Sequence, residues 1–249
     1  MDNAYYCLQE IGGAVPKKTA SRYVEDPVIR SMRVRTWFRA VMLASGLTPA
    51  QLEREFSEKE PARAASARSC IWDKYRRGEV VPRSGSMSSG RLGLVERVER
   101  RYPGTAAWLN SALWRLADKA PMEISELRRV YDGMPKPIRA LFLVDCAPRA
   151  LFWRQQSDVE ELCTHLAHVD RVEVLIILLA LAKEAETIQD QRQHVLAVKA
   201  VRTNILGSII TESLGKEVRN DISIYLNRRW QAPGYFGLGV CEELADRPC

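Results

Sequence analysis

The chain has 249 residues, 46% of them hydrophobic and 27% charged, which suffices for one large domain or two ordinary ones with real cores. Its net charge of +6 is uneven: residues 1–120 carry 21 Lys/Arg against 13 Asp/Glu, and residues 121–249 carry 16 against 18. A basic front half points to a polyanion, most simply nucleic acid, although mild basicity alone is common among cytosolic proteins. Six scattered cysteines without a C-x-x-C pair, and no apolar leader, point to a reduced cytoplasmic protein. The most apolar run, residues 172–182, is too short to span a bilayer, so no membrane partner is expected.

Residues 1–27 form an N-terminal arm with a loop-like Gly12-Gly13 and Pro16-Lys17-Lys18. It is either a basic contact to phosphates or a disordered tail. Residues 28–44 then take a helical pattern, with Ile29, Met32, Trp37 and Val41 apolar. Arg30, Arg33, Arg35 and Arg39 crowd the same helix. Such a density of like charge needs an anion nearby, either phosphate or carboxylates from other helices.

The segment 46–82 organises the front half. Gly46-Leu47-Thr48-Pro49-Ala50-Gln51-Leu52 opens a helix: Thr48 caps, Pro49 suits the first helical position, and Gln51 completes a capping box. Ile71-Trp72-Asp73-Lys74-Tyr75-Arg76-Arg77-Gly78 closes another, with Trp72 and Tyr75 on one face, Gly78 as the stop and Pro82 beyond. Between them, residues 57–67 read as a loop running into a helix start near Ala62 or Ser66. Arg63, Arg68, Ser69, Asp73, Lys74 and Arg76 would then lie on its polar side, as a groove-reading surface or as an ordinary solvated face. Asp73 would accept from cytosine or orient an arginine.

This punctuation resembles the helix-turn-helix of the Cro/C1 (XRE-like) repressor family over about residues 32–102. Phe38 and Val41 match core positions of its first helix, Leu52 of the second, Trp72 and Tyr75 of the third, and Leu94, Val95 and Val98 of the next. The family joins its second and third helices by a tight turn; here that connection is long, and Glu53 stands where a small residue is usual. The resemblance implies a DNA-binding regulator of transcription that acts by occupancy, as a homodimer on double-stranded DNA with two half-sites about one helical turn apart. Arg68, Ser69, Asp73 and Lys74 would face the groove. Thr48, Gln51, Arg76, Arg77 and Arg83 would hold phosphates.

Residues 82–91, rich in Ser and Gly, read as a flexible loop: a phosphate clamp through Arg83 and Arg91, or a spacer. Helices follow over about 92–101, 106–116 (capped by Thr105) and several short stretches after Pro121. From Ser157 the pattern is strongly helical, with capping boxes at Ser157–Glu160 and Asp170–Glu173, a nearly all-apolar helix from Asp170, one long helix over about 189–213, and another over 216–230. No set of period-2 strands appears. The expectation is an all-α protein: an arm (1–27), a helix-turn-helix-like DNA-binding domain (28–120), and a helical bundle (121–249) for dimerisation or another protein partner.

Chemistry has little foothold. Cys163, His165 and His168 lie close in sequence, but on one helix Cys163 and His165 point about 200° apart. No metal, cofactor or catalytic residue is expected. The alternative to DNA binding is an all-helical adaptor or assembly subunit whose basic face docks on RNA or an acidic protein. An enzyme with a spatially assembled site is a third, weaker reading.

Overall fold

The computed structural model describes residues 23–56, 70–86, 90, 92–139 and 159–231. The protein is all-α: among the described residues the only non-helical pairing is an isolated antiparallel bridge between Ser86 and Leu92. None of these helices is long and apolar enough to cross a membrane.

Helix α1 (Pro27–Ser45) starts where the Asp26 carboxylate accepts from the Val28 N–H at 2.8 Å, and ends at Gly46 in the left-handed conformation. Helix α2 (Pro49–Glu55) begins with the expected capping box. Helix α3 (Ile71–Arg77) carries Trp72 and Tyr75 inward. It begins at Ile71, behind Cys70 at a left-handed φ of 53°; Ala62 and Ser66, the expected helix starts, lie outside the described residues. Helices α4 (Leu94–Arg101), α5 (Thr105–Leu109) and α6 (Ala112–Ala117) follow. The helix expected over 106–116 is therefore two, because Ser111 restarts the chain by accepting from the Leu113 N–H at 3.3 Å. Thr105 does not cap α5. It is the first helical residue, and Glu99 caps instead, accepting from the N–H groups of Gly104 and Ala106 at 2.7 Å each.

The back half holds α7 (Ile124–Asp132), α8 (Lys136–Arg139), α9 (Val159–Ala167), α10 (Val172–Ile188), α11 (Gln191–Asn204), α12 (Ser208–Leu214) and α13 (Lys216–Trp230). Helix α10 is buried on nearly every side from Val174 to Ala185, with α6, α7, α9, α11 and α12 packed around it. The single long helix expected over 189–213 breaks at 205–207. There Asp170 captures the start of α12, accepting from the Ile209 N–H at 2.9 Å, the Ile210 N–H at 3.2 Å and the Ser208 hydroxyl at 3.0 Å. Asp170 is consequently not the cap of α10, whose start at Arg171 has no side-chain cap, so the expected box at 170–173 is absent. Ser157, of the other expected box, lies outside the described residues.

Two apolar clusters fill the interior. The smaller joins Val34, Trp37, Phe38 and Val41 of α1 to Leu52, Trp72, Tyr75, Val95, Val98 and Leu109. The larger is centred on α10, and it takes in Ile29 and Met32 of α1 and Leu113, Trp114 and Leu116 of α6. Helix α1 thus feeds both cores, its first turns entering the back one. Leu43 of α1 is 65% exposed, and Val195 is exposed because the buried face of α11 runs one residue earlier, through His194.

Candidate nucleic-acid interface

The inner face of α3 is an aromatic lock. The Trp72 ring stacks on Trp37 with centroids 5.8 Å apart, and the Tyr75 ring meets both indoles edge-on at 5.5 and 5.6 Å. Burying two indoles and a phenol contributes several kcal/mol, about 1.5–3 for each large side chain. Gly78 ends the helix directly against α1: a Cβ there would lie 2.3 Å from the Ser31 Oγ and 2.6 Å from the Ser31 carbonyl oxygen. With its inner face fixed this way, α3 leaves Lys74, Arg76 and Arg77 exposed.

These cations are not all equivalent. The partly buried Asp73 pairs with Arg76 at 3.7 Å. Arg77 forks onto Glu79, with bonds of 2.5 and 3.1 Å, and holds that carboxyl below its usual range. Lys74 is exposed. Arg83 is exposed just past the buried Pro82, near enough to Tyr75 to offset part of the rise that burial gives the phenol's pKa. The backbone around Arg83 is tied down rather than loose. Its carbonyl accepts from Val95 N–H at 3.0 Å, the Gly85 carbonyl accepts from Gly93 N–H at 2.7 Å, and the Gly85 N–H donates to the Glu96 carboxylate at 2.5 Å. Arg83 therefore sits on a fixed support beside α3.

Thr48 and Gln51 satisfy each other. Gln51 Oε1 accepts from the Thr48 N–H at 2.8 Å, and Thr48 Oγ1 accepts from the Gln51 N–H at 3.3 Å, while both residues stay exposed. Helix α2 packs on α3, so this capped end and the α3 cations belong to one unit. Arg68 and Ser69, like Arg63 and Arg91, lie outside the described residues. The α1 arginines resolve in favour of protein partners. Arg33 pairs with Glu25 at 2.8 Å, Arg35 with Asp221 of α13, and Arg39 donates to the Glu212 carbonyl at 3.3 Å. Arg30 is exposed.

A second polar assembly, at the junction of α1, α6, α10, α11 and α13, escaped the sequence reading. Lys183, 1% exposed, donates to the Asp118 carbonyl at 2.7 Å and pairs with Glu186 at 3.2 Å. Arg229 also grips Glu186, and donates to the carbonyls of Leu116 and Ala117 at 3.3 and 3.0 Å. The Asp118 carboxylate accepts from Tyr23 Oη (2.8 Å), Asp26 N–H (2.9 Å) and Ala120 N–H (2.9 Å). Burial works against its charge, but those donors outweigh it and hold the carboxyl below its usual range. Burial, with Arg229 adding to it, pushes Lys183 down to about 8, and burial pushes His194 down to about 4. Tyr225 donates to Asp26 at 3.1 Å, and burial raises both Tyr23 and Tyr225. These groups bond one another and clamp the helix ends, which is structural work. Only the polar pair Lys183-Glu184, interrupting the apolar run of α10, hinted at it in the sequence.

Cys163 is buried and His165 exposed, on the opposed faces that helical geometry requires, and His168 is exposed too. Comparisons with protein-family models, with curated proteins and with solved structures found no match.

Proposed function

We propose that the protein binds double-stranded DNA through α3 and acts as a transcriptional regulator by occupying its site, as a homodimer. The observation that supports this best is the two-sided character of α3. Its aromatic face is fixed on α1 while Lys74, Arg76 and Arg77 stand outside, with Arg83 held beside them on a braced loop. Arginine and lysine on a rigid helix suit phosphate oxygens and guanine edges. Thr48 and Gln51 at the start of α2 add polar contacts to the backbone, and the back bundle supplies the dimer contact or a protein partner.

A second reading has its own support. Two of the four α1 arginines, Arg33 and Arg35, are paired with carboxylates of the protein, which lowers the cationic density available to a duplex. An adaptor docking on RNA or an acidic protein needs fewer cations. Duplex affinity measured against salt separates the two. A groove binder loses affinity steeply, with a slope that Lys74→Ala reduces by about 1. An adaptor shows weak duplex binding that does not depend on sequence.

A further inference from the structure

A cleft of about 550 Å³ opens between α5, the start of α10 and α12, where the front and back halves meet. Its volume falls in the range of small-molecule sites, roughly 300–1,000 Å³. Trp108, Ile176 and Ile209 make an apolar wall, and Ser213, Arg171 and Glu173 supply the polar edge. The Trp108 backbone is anchored, its carbonyl accepting from the Trp114 indole N–H at 2.7 Å. We propose that this cleft binds a free amino acid with a large apolar side chain, in its zwitterionic form.

Arg171 and Glu173 stand side by side at the edge of the cleft, 3.5 Å apart, with half and more than a third of their side chains exposed. An exposed pair at that distance is weakly held, so exchanging its partners costs little. A carboxylate placed against Arg171 and an ammonium against Glu173 satisfy both charges at once. The apolar body then lies against the Trp108 and Ile176 wall. A ligand that is only anionic faces Glu173 unpaired, and one that is only cationic faces Arg171. This proposal stands apart from the DNA reading, since none of these residues belongs to α3.

Calorimetric titration of the full chain with L-leucine and L-phenylalanine tests it, with L-leucinamide and 4-methylpentanoate as ligands lacking one head charge. The expected result is saturable binding of an amino acid, weakened about tenfold or more by loss of either head charge and by Arg171→Gln. Ile209→Arg, at a half-exposed position, is expected to fill the cleft and abolish binding while the helical circular dichroism stays unchanged. Absence of saturable binding at millimolar amino acid overturns the proposal. So does equal binding of the one-charge analogues, or binding that survives Ile209→Arg.

Discussion

At the scale of single residues, the energetics are sharpest at one close contact and one buried charge cluster. Gly78 is pressed on Ser31 at a φ of 71°, so Gly78→Ala meets both backbone strain and a clash. Chemical denaturation is expected to show a loss of about 2 kcal/mol or more. Adding Ser31→Ala should recover only part of it, because the Ser31 carbonyl oxygen remains 2.6 Å from the new Cβ. In the buried cluster, Glu186 faces Lys183, Arg229 and His194. Glu186→Ala strands buried cations and is expected to cost about 3–5 kcal/mol, while Lys183→Met leaves Glu186 its arginine and should cost clearly less. The pH dependence follows from the same burial. His194 stays neutral in the fold down to about 4 while the unfolded chain protonates near its ordinary value, so stability falls as pH drops through that interval. Lys183 loses its proton near 8 in the fold but near 10.5 when unfolded, so its burial penalty fades as pH rises above 8. The raised tyrosines Tyr23 and Tyr225 end that gain above about pH 10, where only the unfolded chain ionises them. Melts across pH with Lys183→Met should lack the rise between 8 and 10.

At the scale of elements, what the sequence made legible was local. The Thr48–Gln51 box, the glycine stops at Gly46 and Gly78, the inward Trp72 and Tyr75, the apolar α10 and the bounds of α13 all depend on residues within one or two turns. Where a distant side chain sets a boundary, periodicity misreads it. Residues 189–213 carry apolar residues at helical spacing throughout, yet Asp170, some forty residues upstream, starts a new helix at Ser208. Glu99 likewise replaces Thr105 as the cap of α5. Asp170→Ala removes three bonds from the first turn of α12 and is expected to cost about 1–2 kcal/mol, read by denaturation. Gly207→Ala should perturb the same junction, since its Cβ would lie 2.1 Å from Asp170 Oδ1. Of the candidate interface, Lys74, Arg76, Arg77 and Arg83 were legible as charges. Glu79 as the partner of Arg77 was not, because a charge run does not say which of its members pair.

At the scale of the whole molecule, α1 couples front and back. Its first turns lie in the back core, Arg35 reaches Asp221 of α13, and Tyr225 reaches the Asp26 cap. A fragment ending at residue 120 would expose Ile29, Met32, Leu113 and Trp114, and is expected to lose the cooperative near-UV tryptophan signal on its own. Anything that α3 binds is thus held by a body anchored through α1 to the back bundle. The most direct test of the account is selection of bound duplexes from a random library at near-physiological salt, using the full chain and a Lys74→Ala/Arg76→Ala variant of unchanged melting temperature. An enriched sequence with two related half-sites, lost in the variant, is the expected result. No duplex binding, or enrichment that the variant retains, would contradict it.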